Sequence, residues 1–347
     1  MLAVSFYACV ACANDPMLDR PKHHTDDGFR NLHTGPISKG PFGYVWMRYF
    51  GDDVFWDHEA DAPNMDIADP NYTSIASPEA EPQITWLGHS TFLIQYRGIT
   101  VLTDPILTAR ASPVSFAGPK RLVPMPISFE HLPPLDAIVI SHNHYDHLDL
   151  ETLIQLEKQS PNVKIVAPLK LGSWLAKQGL KEDRLIELDW WNATELKQMR
   201  LTALPAQHWS ARGVFDRNDT LWASWMIDIA DLRVWFGGDT GYNEVEFKEI
   251  GAAYPSIDLA LIPIGAYAPR WFMKQQHTDP YEAILVHHDL SAARSIGMHW
   301  GTFELSAEPM LEPKALLQKA VEEGKIGAGL FDTMAIGETR TIETAPK

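Results

Sequence analysis

Three histidines and one aspartate occupy four of the six positions from His142 to His147, directly after the apolar run Ala137–Ile140. Side chains two residues apart in an extended segment point the same way, so His142 and His144 can bind one cation. The chain then turns toward the next helix, which places the aspartate and the last histidine of the motif where they can bind a second cation. Imidazole and carboxylate are typical ligands of zinc and related metals. The motif therefore indicates metal binding at a strand end; a solvated polar loop is the alternative.

One loop cannot complete two metal sites, so further ligands are expected at other strand ends. The sequence offers one candidate after each of three predicted strands: His208 after Leu201–Leu204, Asp239 after Arg233–Phe236 and His299 after Ser295–Met298. Each alone has an ordinary structural explanation, but together they supply the missing ligands in number and kind. The two glycines before Asp239 permit a tight backbone turn, so that its carboxylate can reach between two ions.

The elements that must position these residues begin near residue 83. Short apolar runs alternate there with turn and helix signals, which predicts strands mixed with helices. The predicted strands are Ile84–Leu87, Thr91–Ile94, Thr100–Thr103, Ala137–Ile140, Lys164–Val166, Leu201–Leu204, Trp222–Ile229, Arg233–Phe236, Leu259–Ile262 and Ser295–Met298. The predicted helices are Leu150–Gln159, Leu171–Gln178, Pro280–His288, with Asp279 as its N-cap, and Pro313–Glu323. This pattern predicts a layered α/β domain over residues 81–347.

Composition narrows the class of protein. The chain has 347 residues, of which 45% are hydrophobic and 21% charged, as in globular proteins. Its 29 basic and 45 acidic residues give a net charge of −16, which argues against a nucleic-acid partner and a nuclease activity. The two cysteines, Cys9 and Cys12, lie outside the predicted domain, so neither a disulfide framework nor a cysteine nucleophile is expected there.

The first 80 residues differ from the rest. Residues 1–13 are mostly apolar and contain Ala11-Cys12-Ala13, a pattern of signal-peptide cleavage, although a basic start is missing. We interpret them as a signal or anchor segment and favour an exported, periplasmic or membrane-associated location over a cytoplasmic one. Residues 14–80 read as an irregular extension. Its aromatic segment 42–50 is either a strap on the core or a membrane-facing surface.

The metal motif, with the later histidine, aspartate and histidine, resembles the metallo-β-lactamase superfamily. Flanking sequences between about residues 84 and 313 resemble the branch of the N-acyl-phosphatidylethanolamine-hydrolysing phospholipases D. They are Trp86-Leu87-Gly88-His89-Ser90-Thr91, Leu102-Thr103-Asp104-Pro105, Arg110-Ala111-Ser112-Pro113, Gly118-Pro119-Lys120-Arg121, Pro263-Ile264-Gly265-Ala266-Tyr267, Trp271-Phe272-Met273, Gln276-His277 and His299-Trp300-Gly301-Thr302-Phe303. The resemblance implies an αβ/βα four-layer sandwich with an irregular N-terminal extension and with two Zn²⁺ ions at one edge; manganese or iron could occupy similar ligands.

The resemblance also implies roles for individual residues. It assigns one zinc to His142, His144 and His208, the other to Asp146, His147 and His299, and the bridging position to Asp239. The candidate catalytic residues are Asp146, Asp239 and His277.

Other positions would act around the metals. Asp104 and His89 would lie beside the metal ligands and orient them, while Gln276, His277 and His89 would face the substrate. The alternatives are a strand-turn histidine for His89 and a surface loop for Gln276 and His277. His131, His287 and His288 are interpreted as surface or helix-end residues.

Two divalent cations, two aspartates and a bridging hydroxide would give the site a charge of about +1, which attracts an anionic substrate. We therefore expect a zinc-dependent phosphodiesterase that cleaves N-acyl-phosphatidylethanolamine-like phospholipids to phosphatidic acid and an N-acylethanolamine by means of that hydroxide. A lactonase or phosphodiesterase for a small soluble anion is the alternative within the fold, and a metal-binding scaffold protein is the non-enzymatic one. The expected partners are a phospholipid or small anion and, through the aromatic segment, a membrane surface.

Overall fold

The computed structural model describes residues 20–37, 43, 46–47 and 58–344. The predicted signal or anchor segment 1–13 lies outside these residues, and so does most of the aromatic segment 42–50. Among the described residues, two seven-stranded mixed sheets form the centre of the molecule.

The first sheet contains the strands from the amino-terminal half and one from the carboxyl terminus, in the order β14-β1-β2-β3-β4-β5-β6. Its strands are β1 (Gln83–Trp86), β2 (Phe92–Tyr96), β3 (Ile99–Thr103), β4 (Ala137–Val139), β5 (Lys164–Pro168), β6 (Leu185–Leu188) and β14 (Thr339–Thr341). Strands β3 to β6 are parallel to one another, whereas β14, β1, β2 and β3 pair antiparallel. The carboxyl ends of β3 and β4 therefore lie at the same edge.

The second sheet has the order β13-β12-β11-β10-β9-β8-β7. Its strands are β7 (Ala193–Leu196), β8 (Met199–Leu204), β9 (Ser224–Ile229), β10 (Leu232–Phe236), β11 (Leu259–Pro263), β12 (Arg294–Met298) and β13 (Phe331–Asp332). Strands β10 to β13 are parallel, and β8 runs in the same direction because it and β10 are both antiparallel to β9. The loops after β8, β10 and β12 therefore leave the sheet at one edge.

Helices cover the outer face of each sheet. They are α1 (His58–Asp61), α2 (Tyr72–Ala76), α3 (Leu150–Gln159), α4 (Leu171–Lys177), α5 (Glu246–Ala253), α6 (Arg270–Met273), α7 (Pro280–Leu290) and α8 (Glu312–Glu322). The predicted cap of α7 is confirmed, because the Asp279 side chain accepts hydrogen bonds from the backbone N–H groups of Tyr281 and Glu282. Among the described residues, none of these helices is long and apolar enough to cross a membrane.

The alternation of side chains along the strands explains the layers. On β1, Ile84 and Trp86 point into the core between the two sheets, where they join residues of the second sheet such as Trp225. On the opposite face of the first sheet, Leu93 of β2 packs in a separate cluster that includes Leu153 of α3. Helices α5, α7 and α8 cover the outer face of the second sheet with residues of the shared core. The predicted αβ/βα four-layer sandwich is confirmed.

The predicted elements are found with shifts of one or two residues at most ends. Within the described residues, four strands (β6, β7, β13 and β14) and four helices (α1, α2, α5 and α6) were not predicted. Strands β6 and β7 are half-buried rather than fully buried, so they lack the apolar run that identifies a core strand. Helix α5 was missed because it combines Gly251 and alanines with few apolar residues.

The described part of the N-terminal extension contains short helices and irregular chain. Residues 20–37 run beside the loop that follows β8, where the Phe29 N–H donates to the Asn218 carbonyl. Met47 is fully buried against Phe272 and Met273. The extension therefore contacts the domain close to the carboxyl ends of its strands.

Candidate metal centre

The three-histidine cluster, His142, His144 and His208, forms where the loop after β4 meets the loop after β8. The Nδ1 atom of His144 lies 2.8 Å from Nε2 of His142 and 3.3 Å from Nε2 of His208. His142 and His208 are buried, and His144 is half-buried. Three nitrogens from three imidazoles thus converge on one point, as the ligands of a zinc site do.

The mixed cluster, Asp146, His147 and His299, forms beside it. The Nε2 atoms of His147 and His299 lie 3.1 Å apart, and the Oδ2 atom of Asp146 lies 3.4 Å from the former and 3.3 Å from the latter. One carboxylate oxygen and two imidazole nitrogens therefore face a common point. This donor set suits zinc and its neighbours in the first transition series.

Asp239 lies between the two clusters. Its Oδ2 atom is 3.3 Å from Nε2 of His147 and 3.6 Å from Nε2 of His208, and its Oδ1 atom is 3.0 Å from Nε2 of His299. A single carboxylate thus faces ligand candidates of both clusters. The position is the one predicted for a bridging ligand.

The turn that brings Asp239 there depends on Gly238. Its φ of +56° is in the left-handed region, and a Cβ at this position would lie 2.5 Å from the Cβ of Ser141. The predicted tight approach is confirmed at this glycine. Three other residues at the centre, His89, Asp104 and His299, have positive φ without being glycine. Such backbone conformations are uncommon for residues other than glycine and cluster at functional sites.

Hydrogen bonds on the far side of each ring fix which nitrogen faces the cluster. The Nδ1–H of His208 donates to the carbonyl of Gln276, and the Nδ1–H of His147 donates to Oδ2 of Asp104, at 2.9 and 2.7 Å. Because a carbonyl and a carboxylate can only accept, each Nδ1 carries the proton. In the neutral ring, each Nε2 then directs its lone pair toward the cluster.

Asp104 also acts on the other cluster, through Ser141. The Ser141 hydroxyl donates to Oδ2 of Asp104 at 2.5 Å, so its oxygen is left to accept from Nδ1–H of His142 at 2.9 Å. One buried carboxylate therefore orients His147 directly and His142 through a hydroxyl. Burial raises the pKa of Asp104, whereas its bonds to His147 and Ser141 act to lower it.

The three-histidine cluster is electrically neutral. Burial lowers the pKa of His144 and of His208 to about 3 and lowers that of His142 well below its ordinary value. All three rings therefore lack a second proton at pH 7. Neutral imidazole is the form that binds a metal.

The mixed cluster, in contrast, contains charged side chains. Burial acts to lower the pKa of His299, but the carboxylates of Asp239 and Asp146 outweigh it and raise the pKa to about 9. Burial likewise acts to raise the pKa of each aspartate, and the neighbouring imidazolium groups hold both well below the usual range. Two buried carboxylates thus require positive charge, and a divalent cation would satisfy the same requirement.

The donor set therefore fits metal ions. Eight residues, the seven ligand candidates and His89, form two groups whose ligand atoms lie close enough to hold an ion: His142, His144, His208 and Asp239 in one, and His89, Asp146, His147 and His299 in the other. The buried Nδ1 of His277 has no hydrogen-bond partner among the described residues, and it lies 3.8 Å from Oδ2 of Asp239. The Asp/His clusters are thus able to bind metal.

The structure places the remaining predicted residues as follows. His89 is buried and its Nε2 lies 3.0 Å from Oδ2 of Asp146, so it is a neighbour of a ligand candidate rather than a strand-turn histidine bound to backbone alone. Asp104 lies beside the ligands, as expected. Gln276 and His277 are both buried, not on a surface loop. The Gln276 amide contacts Sδ of Met273, and its carbonyl orients His208; its contact with a substrate stays a prediction.

The three histidines that were predicted to be surface or helix-end residues all lie at helix ends, and one of them is buried. His288 and His131 lie at helix ends. His287 also lies in the last turn of α7, but it is buried and its Nδ1 is 2.8 Å from Oγ of Ser295. It is therefore a core residue and not a surface residue.

Sequence reasoning did not identify Ser141 or Arg212. The Arg212 guanidinium donates to the carbonyls of Asn143 and Leu148 and lies 3.9 Å from the ring centre of Tyr145. It thereby holds both ends of the ligand loop. Ser141 directly precedes the motif, so its position was a usable signal; Arg212 lies more than sixty residues away and gave none.

Comparison with known proteins agrees with this centre. The Beta-lactamase superfamily domain matches residues 100–300. A protein of Caenorhabditis elegans, N-acyl-phosphatidylethanolamine-hydrolyzing phospholipase D 1, is 44% identical over 246 residues, which cover 69% of each chain. An uncharacterized protein of Mycobacterium tuberculosis is 41% identical over 310 residues, which cover 88% of this chain and 81% of the relative.

Solved structures support the fold. That of a metallo hydrolase from Ignicoccus hospitalis superimposes with a TM-score of 0.56 at 23% identity and covers 76% of this chain and 99% of the other. The chain is thus a metal-dependent hydrolase, and it belongs to the metallo-β-lactamase superfamily, in the branch of the N-acyl-phosphatidylethanolamine-hydrolysing phospholipases D.

Proposed function

We propose that this protein hydrolyses N-acyl-phosphatidylethanolamine-like phospholipids at the distal phosphodiester bond, releasing phosphatidic acid and an N-acylethanolamine. The observation that carries the proposal is the pair of ligand clusters joined by Asp239, in a chain whose relatives include phospholipases D with this substrate in their names. In this proposal the centre holds two Zn²⁺ ions, with manganese or iron as alternatives.

The ligand assignment follows the clusters. His142, His144 and His208 would hold one ion, and Asp146, His147 and His299 the other, with Asp239 shared. When bound, a pair of divalent ions supplies Lewis acidity, lowers the pKa of water and stabilises charge on the oxygens of a phosphodiester. With two carboxylates and neutral imidazoles, the loaded centre is positive and attracts the phosphate group.

The protein's own residues complete the site. Within the part of the chain that the structure describes, the Nδ1 of His277 beside Asp239 has no hydrogen-bond partner. Burial lowers the pKa of His277 to about 3, so its ring is neutral before substrate binds. In this proposal its ring contacts the phosphate or the leaving oxygen. His89, bound to Asp146, holds that carboxylate in place.

Apolar groups at the same edge favour a lipid over a soluble substrate. The loop after β3 carries Phe116 and the loop after β8 carries Phe215, whose side chains are 81% and 97% exposed. A groove of about 900 Å³ lies between the loop after β3 and helix α3, and residues such as Val114, Tyr145 and Trp174 line it. A small closed pocket would favour a sugar phosphate, whereas exposed aromatics beside an open groove suit a membrane surface.

Purified protein and vesicles of N-acyl-phosphatidylethanolamine in phosphatidylcholine test the proposal. Phosphatidic acid and N-acylethanolamine should appear at equal rates, stop with a chelator and return with Zn²⁺. A metal-loaded protein that releases neither product would overturn the lipid substrate. Chelator-sensitive hydrolysis of a soluble phosphodiester or phosphorylated lactone, without lipid cleavage, would favour the alternative activity. The exported location remains a proposal that rests on residues 1–13.

A further inference from the structure

Asn31, in the N-terminal extension, contacts the backbone of His208 through both ends of its amide. Its Nδ2 donates to the His208 carbonyl at 2.8 Å, and its Oδ1 accepts from the His208 N–H at 3.1 Å. The two residues are 177 positions apart in the chain. The geometry reproduces the pairing that a neighbouring strand would give.

His208 needs such a partner because it has left the sheet. Strand β8 ends at Leu204. After it, an isolated β-bridge joins Gln207, the residue directly before His208, to Gly241. His208 itself is fully buried, so its backbone groups have no access to solvent. Among the described residues, Asn31 is the partner found for both groups. A buried backbone group without a partner is strongly unfavourable.

The segment that carries Asn31 is itself held in place. Gly28 packs against the loop after β8 so closely that a Cβ would lie 2.1 Å from the Asn218 carbonyl oxygen. Nearby, Nε2 of His23 and of His24 contact the two oxygens of Asp189 at 2.6 and 2.8 Å. The segment therefore presents Asn31 from a fixed base rather than from a loose end.

We propose that Asn31 is a positioning residue of the metal centre: it holds the backbone of His208 while the Gln276 carbonyl holds its ring, so that Nε2 stays aimed at the three-histidine cluster. The proposal rests on the proposed role of His208 as a metal ligand. It assigns to the N-terminal extension, which lies outside the match at residues 100–300, a direct contribution to the affinity of one metal.

The proposal predicts a selective effect. In Asn31→Ala, the two buried backbone groups lose their partner, and the loop can recover hydrogen bonds only by moving His208. Loss of a group that orients a ligand weakens metal binding by roughly 10- to 100-fold. This loss should fall on the three-histidine cluster and spare the mixed cluster, whose ligands Asn31 does not contact in the described structure.

Metal binding without any substrate tests this. Metal-free protein is titrated with Zn²⁺ against a competing chelator, and His142→Ala and His299→Ala identify the two binding steps. Asp26→Asn, at an exposed position of the same segment that pairs with Arg20, is the matched control and should bind as wild type. Asn31→Ala should weaken the His142-dependent step and leave the His299-dependent step as in wild type, while the circular dichroism of its metal-free form matches that of the control.

Unchanged affinity at both steps, or equal loss at both, would overturn the proposal. If Asn31→Ala does not fold, the isosteric Asn31→Asp replaces it, since this variant keeps the acceptor but loses the donor. Its zinc-binding step that depends on His142 should weaken, and full affinity at that step would overturn the proposal. Because lipid is absent, these results are independent of the substrate. A wild type that binds two ions but cleaves no phospholipid would refute the proposed function and leave this inference standing.

Discussion

The two ligand clusters share Asp239 but differ in charge and in how their rings are held. The three-histidine cluster is neutral, and its rings are oriented by a hydroxyl and a carbonyl, those of Ser141 and Gln276. The mixed cluster gathers carboxylates around two imidazoles whose pKa values they raise, and Asp104 orients one ring directly. One centre thus offers two environments. The three-histidine cluster has neutral ligands whose orientation depends on hydrogen bonds, whereas the mixed cluster contains carboxylates that are stabilised by nearby positive charge.

Asp239→Asn tests what the clusters share and should have the largest effect. The amide keeps the shape of the side chain but removes the shared negative charge, so hydrolysis should fall on the order of 10³-fold. Zn²⁺ content and phosphatidic acid release are measured on protein whose circular dichroism matches wild type. Activity that survives unchanged would show that Asp239 does not bridge the two clusters.

His299→Ala separates the clusters. It removes a ligand candidate from the mixed cluster and leaves the three-histidine cluster intact, so one of two ions should be lost and hydrolysis should fall by at least about 100-fold. His208→Ala is the matched variant for the other cluster. Elemental analysis and chelator titration give the stoichiometry; equal weakening of both ions in either variant would contradict independent clusters.

Asp104 orients histidines of both clusters, whereas Ser141 orients a histidine of the three-histidine cluster. The variants Asp104→Asn and Ser141→Ala compare these two roles. Asp104→Asn should weaken both ions by roughly 10- to 100-fold, since Asp104 orients His147 directly and His142 through Ser141. Ser141→Ala keeps the Cβ that packs against Gly238 and should weaken only the ion at the three-histidine cluster. Identical zinc titrations for the two variants would argue against the connection through the Ser141 hydroxyl.

The sequence predicted those parts of the structure whose signal is local. The strand before the motif and the helix Leu150–Gln159 are apolar at the required period, and they were found within a residue of the prediction. The convergence of loops after β4, β8, β10 and β12 could be anticipated because each places a metal-binding residue type directly after a strand.

Contacts between distant segments could not be predicted in the same way. Asn31 reaches His208 across 177 residues and Arg212 reaches the ligand loop across 64 to 69, and neither residue lies in a pattern that marks it. Strands β6 and β7 are half-buried, so tertiary pairing rather than an apolar run defines them. Among the groups that orient the ligands, Asp104 was therefore predicted, whereas Ser141 and Asn31 were not.

Glu246 extends the comparison to a buried carboxylate outside both clusters. Imidazoles hold the pKa of Asp146 and Asp239 low. Glu246 instead accepts a hydrogen bond from Asn243 through one oxygen, while its other oxygen has no partner in residues 20–37, 43, 46–47 and 58–344, and burial raises its pKa from 4.5 to about 7. Because the folded pKa exceeds the unfolded one, this group's favourable contribution is complete below pH 4.5 and is lost as the pH rises through 7. A shift of this size corresponds to about 3 kcal/mol.

Glu246→Gln should therefore raise the free energy of unfolding at pH 8 by up to about 3 kcal/mol and change it little near pH 5. The smallest effect of the series is expected on hydrolysis, because Glu246 lies on α5 and not among the ligands. Urea denaturation at the two pH values measures the difference, and Glu249→Gln, exposed on the same helix, is the control. An equal gain in the free energy of unfolding at both pH values would show that the substitution acts through packing. The cost of burying a charge without a neighbouring cation would then not distinguish Glu246 from the aspartates of the mixed cluster.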